Sequence, residues 1–169
     1  MLVEMERKLA NKDSAMRALR SKLSAALRGF EGNGLTMEQR GGKIYVLLDE
    51  SLLFEVGKSV VSEKGTDALK KLASVLEANP DIDITVEGHT DSTGNAKLNW
   101  KLSTERALSI SYIILDNSKV APKRITASGR GQYVPIDTRK TPEALRKNRR
   151  SEIILTPKLE ELFNLIEKE

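Results

Sequence analysis

The chain has 169 residues, 39% of them hydrophobic and 31% charged, with a formal net charge of +4; this is the composition of a folded domain with a wet surface, and it excludes a disordered chain. No apolar run approaches the roughly 18 residues that span a bilayer, and residues 1–10, with Glu4, Glu6, Arg7 and Lys8, lack the apolar core of a signal peptide. With no cysteine and one histidine, His89, the chain has no disulfide scaffold, thiol nucleophile or multi-histidine metal site, so neither metal nor cofactor is expected.

Residues 1–30 read as one helix. Leu2, Met5, Leu9, Met16, Leu19, Leu23, Ala26 and Phe30 recur at steps of three and four, with Lys12 as the polar break. Gly29, Gly32 and Gly34 end the helix and mark a boundary, so residues 1–32 form a linker helix. This helix either lies on its own domain or acts as a tether or short coiled coil, which would make a homodimer. Leu35 to Arg40 and Lys43 to Leu48 form a hairpin about Gly41-Gly42. A loop over 49–64 holds Leu53-Phe54 and Gly57. A helix over 63–78 follows, with Ala68, Leu69, Leu72, Val75 and Leu76 on its apolar face, and Asn79-Pro80 stops it.

Ile82, Ile84 and Val86 alternate with Asp83, Thr85 and Glu87, a strand with one buried face. A polar loop leads to a helix over 97–116, with Leu98, Leu102, Ala107, Ile110, Ile113 and Ile114 toward the core. A strand over 124–128, a loop, a short helix from Pro142 and a strand over 152–156 follow, then a tail helix in 158–169. The expected fold is an α/β (α+β) two-layer sandwich. Its mixed sheet has β-α-β-α-β-β order, its helices lie on one face, and the N-terminal helix precedes it; the domain spans 33–157.

The densest polar cluster is His89-Thr90-Asp91-Ser92-Thr93-Gly94, between a strand and a helix. That places Asp91 at the sheet rim, where open α/β folds bind ligands. On the helix, Asn99, Ser103 and Arg106 share a face. Asp91 and Arg106 either form a plain salt bridge or act as a clamp for a zwitterion, the carboxylate taking an ammonium and the guanidinium a carboxylate. From Lys119 to Arg150, ten Lys/Arg stand against Asp137 and Glu143, which fits an anionic partner or a solvated face. Aromatics, at 4%, are too few to suggest a base-stacking platform. His89 packs or hydrogen-bonds beside its loop, and Trp100 packs near the helix start or lines the pocket rim. Gly129-Arg130-Gly131 lacks a full phosphate-loop fingerprint, and Asp91 with Glu87 only imitates a glycosidase pair.

The segments VEGHTDSTG at 86–94, NWKLSTERA at 99–107, GRG at 129–131 with Pro135, and NRRSEI at 148–153 resemble, in this order, the OmpA-like peptidoglycan-binding domain. Porin tails, Pal-type lipoproteins and MotB-type stator anchors share that domain. The resemblance covers about residues 35–156. It implies noncovalent binding of the diaminopimelate of the peptide stem, no catalysis, and a periplasmic, outer-membrane-associated protein whose membrane contact lies in an upstream segment. By matched position, Asp91 and Arg106 hold the diaminopimelate, Asn99 lines the same pocket, Thr90 and Thr93 flank it, and Arg149 stands near the ligand carboxylates. Phe54-Glu55 replaces the usual Phe-Asp, Gly57 replaces an asparagine, and Ser151 takes a place usually β-branched. The alternatives are a nucleic-acid binder using 119–150 and an interaction protein acting through helix 1–30. The first predicts steep salt dependence, the second a mass change when the helix is removed.

Overall fold

A computed structural model describes residues 1–158; the expected tail helix lies almost wholly outside them. The elements are α1 (Leu2–Ala26), β1 (Leu35–Arg40), β2 (Lys43–Asp49), α2 (Glu50–Leu53), α3 (Glu63–Glu77), β3 (Ile82–His89), α4 (Ala96–Asp116), β4 (Ile125–Gly129), α5 (Pro142–Asn148) and β5 (Arg150–Pro157). The five strands stand in the order β1-β2-β5-β3-β4. Only β3 and β4 run parallel, joined by the α4 crossover; the other neighbours are antiparallel. This is the mixed, two-layer sheet expected from the sequence.

The register explains why one face is dry. Met37, Val46, Ile153 and Val86 form one cross-sheet row, and Ile44, Leu155, Ile84 and Ile125 another. These rows meet Leu69, Leu72 and Leu76 of α3 and Ala107, Ile110 and Ile114 of α4 in one core. A third row shrinks toward α4, from Leu35 and Leu48 to Ser151, Gly88 and Gly129. A Cβ on Gly88 would stand 2.1 Å from the Ser103 carbonyl oxygen, and one on Gly129 would stand 2.2 Å from Thr104 Oγ1. The helix therefore rests directly on backbone, and Ser151 is a small residue in the row where the layers approach most closely.

Helix starts are capped locally. Ser62 Oγ accepts from the Gly65 N–H at 3.0 Å and donates to the Leu52 carbonyl at 2.9 Å. Asn95 caps α4, and Thr141 followed by Pro142 caps α5. The hairpin turn uses Gly41 and Gly42, both at positive φ.

Three details differ from the sequence expectation. The 49–64 segment contains the one-turn helix α2, which Phe54 leaves to bridge Val61. Leu98, in the first turn of α4, is exposed. The seam of α1 divides: Met16, Leu19, Leu23 and Leu27 are buried in the domain core against α3 and β2, while Leu2, Val3 and Leu9 are exposed. The helical span stops at Ala26, because Leu27 turns into the core ahead of Gly29.

Candidate functional site

The loop after β3 places Asp91 where the sheet ends. Its Oδ1 accepts from the Thr93 N–H at 2.8 Å and from Thr93 Oγ1 at 2.5 Å. The Thr90 N–H donates to the Gly131 carbonyl at 2.9 Å, tying this loop to the one after β4. Asn99 Nδ2 donates to the Thr93 carbonyl at 2.9 Å and to Gln132 Oε1 at 3.1 Å. The polar loop is thus held open from both sides by its neighbours.

Arg106 comes up from α4 with only 4% of its surface exposed. Its Nε donates to the Lys58 carbonyl at 2.9 Å, and Nη2 reaches Glu50 Oε1 at 3.3 Å and the Glu55 carbonyl at 3.4 Å. The guanidinium stacks on Phe54, 4.8 Å from the ring centroid. Arg149, with 36% of its side chain exposed, spans the cavity. Its Nη1 is 2.6 Å from Asp91 Oδ2 and its Nε is 3.4 Å from Glu50 Oε2.

The direct partner of Asp91 is therefore Arg149, and Glu50 links Arg149 to Arg106. The plain Asp91–Arg106 salt bridge is not the arrangement found. Instead both residues line one cavity of about 280 Å³, together with Thr90, Thr93, Asn99, Arg149, Glu50, Val56, Gly57 and Leu102. All six site residues expected from the sequence meet there. Sequence reasoning missed Glu50. Its signal was the β2–β5 pairing, which sets Asp49 opposite Arg150 and brings the Glu50 N–H to the Arg149 carbonyl at 3.2 Å.

Burial pushes the Asp91 carboxyl up, but the hydrogen bonds from Thr93 Oγ1, Arg149 and the Thr93 amide outweigh it and hold its pKa below the ordinary 3.8. Asp91, Glu50, Arg106 and Arg149 carry two charges of each sign. A bare anion or cation entering this cavity would leave a net charge behind, whereas a zwitterion leaves it neutral.

The opposite face of β3 holds a second cluster. His89 is buried, with Nε2 2.9 Å from Glu87 Oε1 and 3.1 Å from Glu152 Oε2, and neither ring nitrogen makes a well-directed hydrogen bond. Arg150 donates to Glu152 Oε2 at 3.0 Å through Nε, and to the carbonyls of Asn148 and Val134 at 3.1 Å. The His89 ring nitrogen 2.9 Å away lowers the Glu87 pKa against the effect of burial. Burial raises that of Glu152, but His89 and Arg150 outweigh it and leave it lowered. Among the described residues, Glu87, His89 and Glu152 form the one group spaced to hold a metal ion. Arg150 already neutralises one of its carboxylates. Glu87 and Asp91 line different cavities, so they do not form a glycosidase pair.

The basic stretch 119–150 does not make one face. Arg124 is buried, donating to the carbonyls of Ile82, Leu76 and Asn79. Arg150 and Arg149 enter the two clusters above, and Arg139 pairs with Asp137 at 2.6 Å, holding that carboxyl down at about 2. No helix among the described residues is long and apolar enough to cross a membrane.

Comparison with known proteins adds three findings. The sequence profile described as OmpA family matches residues 53–149. Motility protein B of Bacillus subtilis strain 168 is 30% identical over 119 residues, covering 68% of this chain and 46% of that protein. Two solved structures share the fold. A MotB-like protein from Desulfovibrio vulgaris has a TM-score of 0.79 at 21% identity, covering 91% of this chain and 99% of that one. The cell wall anchor of the T6SS from Pseudomonas aeruginosa has a TM-score of 0.71 at 26% identity, covering 80% and 97%. The chain spans about half the length of the curated relatives it matches.

Proposed function

The chain belongs to the OmpA family, and we propose that it binds peptidoglycan noncovalently and anchors an envelope protein to the cell wall without catalysing a reaction. The observation that carries this reading is the shared cavity of Asp91 and Arg106, balanced by Glu50 and Arg149. The ligand is the side-chain end of diaminopimelate in the stem peptide, which carries an ammonium and a carboxylate on one carbon. Asp91 takes the ammonium. Arg106 and Arg149 take the carboxylate, which displaces Glu50 or shares the two guanidinium groups with it. Asn99 and Thr90 border the site, and Thr93 fixes the Asp91 rotamer through two hydrogen bonds.

On this reading residues 33–157 form the wall-binding unit, 1–32 the segment leading into it, with Met16, Leu19, Leu23 and Leu27 packed on its core, and 158–169 a tail. The protein works in the periplasm, associated with the outer membrane. A nucleic-acid role has less support, because the cations of 119–150 are divided among burial, ion pairs and the cavity.

The test is co-sedimentation with purified sacculi, with soluble stem peptides carrying diaminopimelate or lysine at the third position as competitors. Asp91→Ala or Arg106→Ala leaves a charge without its mate and costs on the order of 2–4 kcal/mol, tens- to hundreds-fold in affinity. The diaminopimelate peptide competes, and the lysine peptide, whose side chain ends in an ammonium with no carboxylate beside it, does not. Variants that sediment like the parent would remove the clamp.

A further inference from the structure

Beside the clamp, on the other side of Asn99, the structure carries an aromatic pair that the cavity does not use. Trp100, 43% exposed, and Tyr133, 57% exposed, stand with ring centroids 5.4 Å apart and planes tilted by 31°. Trp100 is the chain's sole tryptophan, in a sequence with 4% aromatics. We propose that these two rings form a shelf for a saccharide ring of the glycan strand whose stem peptide occupies the clamp. This rests on the wall-binding reading above and extends it from the peptide to the sugar.

Three observations carry the proposal. First, the shelf is built on the site. Trp100 lies flat over Gly131, where an added Cβ would be 3.2 Å from Cδ2 of the indole. Gly131 is fixed from both sides, its N–H donating to Ser103 Oγ at 3.0 Å and its carbonyl accepting from Thr90 of the cavity loop. Gln132, between Gly131 and Tyr133, holds Asn99 of the cavity wall. A ligand on the shelf and a ligand in the clamp therefore sit on one rigid frame.

Second, the surroundings are polar. Lys97, Lys101, Thr104 and Arg130 are all exposed, so the two rings are a small apolar island in a wet rim. A pyranose matches such an island: its C–H face packs on an aromatic face while its hydroxyls stay hydrated at the edges. Trp and Tyr have few rotatable bonds, so little conformational entropy is lost on contact.

Third, the shelf adjoins the clamp, and only two residues and a short ether-linked acid separate diaminopimelate from its sugar. Trp100 directly follows Asn99 of the clamp wall.

The sole tryptophan makes the test direct. Trp100 emission and affinity are followed for the full chain titrated with two soluble probes, a free diaminopimelate-containing stem peptide and the same peptide on its disaccharide. The disaccharide–peptide shifts the emission to shorter wavelength and binds about five- to tenfold tighter than the peptide alone, the scale of one aromatic contact. Tyr133→Ala brings its affinity down to that of the peptide and leaves peptide binding unchanged. Equal affinities with no emission change would overturn the shelf and leave the clamp standing. If neither probe binds, clamp and shelf fall together.

Discussion

Arg149 and Arg150 are adjacent in the chain and belong to opposite kinds of site. Arg149 lies half-open between Asp91 and Glu50. Its contact to Glu50, like that of Arg106 Nη2, is 3.3–3.4 Å long, the length of a bond that exchanges readily for a ligand. Arg150 is buried, and its guanidinium reaches a carboxylate and two backbone carbonyls. One cluster keeps its polar valence available at a cavity; the other spends it inside the fold. The alternation of a strand separates them, since successive side chains leave on opposite faces.

Three measurements test this contrast. The largest effect is expected for Arg150→Leu, which strips the counter-charge from Glu152 and lowers unfolding stability by about 3 kcal/mol in a denaturant titration. The fraction that remains folded still sediments with sacculi. A variant of normal stability that has lost the wall would reverse the two roles. Next, Glu50→Gln keeps the shape of the cavity and removes the charge joining the two arginines. Affinity for sacculi changes by about tenfold, with under ~1 kcal/mol in stability; a large loss of stability would place Glu50 with the structural cluster.

The smallest effect comes from acid. The Asp91 carboxyl has its folded-state pKa below the unfolded 3.8. Its contribution is complete above that value and disappears as pH falls through the folded-state pKa. Wall affinity is therefore flat from neutrality to about pH 5 as far as Asp91 is concerned, and falls only below 3.8. A midpoint near neutrality would assign the site to another group.

The same contrast shows what could be read from the chain and what could not. Ile82, Ile84 and Val86 announce a strand by alternation, and Asp91, Asn99 and Arg106 are placed by local spacing around one loop and one helix. All of these are short-range facts. Glu50 reaches the cavity only because β2 lies beside β5, a pairing between residues about a hundred positions apart. The sequence marks His89 as a packing or hydrogen-bonding residue, but of its two carboxylate neighbours only Glu87 is close in the chain, the other coming from β5. Arg149 and Arg150 looked like one basic run. Their separation depends on where β5 begins, and strand ends are poorly marked in sequence. The docking of Met16 to Leu27 was likewise open, because a seam of this period fits a partner helix and a sheet-bound helix equally well.

The last strand among the described residues is the central one. With β5 absent, β2 and β3 each have a bare edge, the hairpin β1–β2 is severed from β3–β4, and neither charge cluster has its arginine from 149–150. Closure must therefore wait until residues 150–157 are available, and it then joins both halves of the sheet in one step. A folding reaction built this way has high contact order and few stable partial forms. It makes assembly all-or-none: a chain cut short before residue 150 exposes two sticky strand edges to proteases and to other chains.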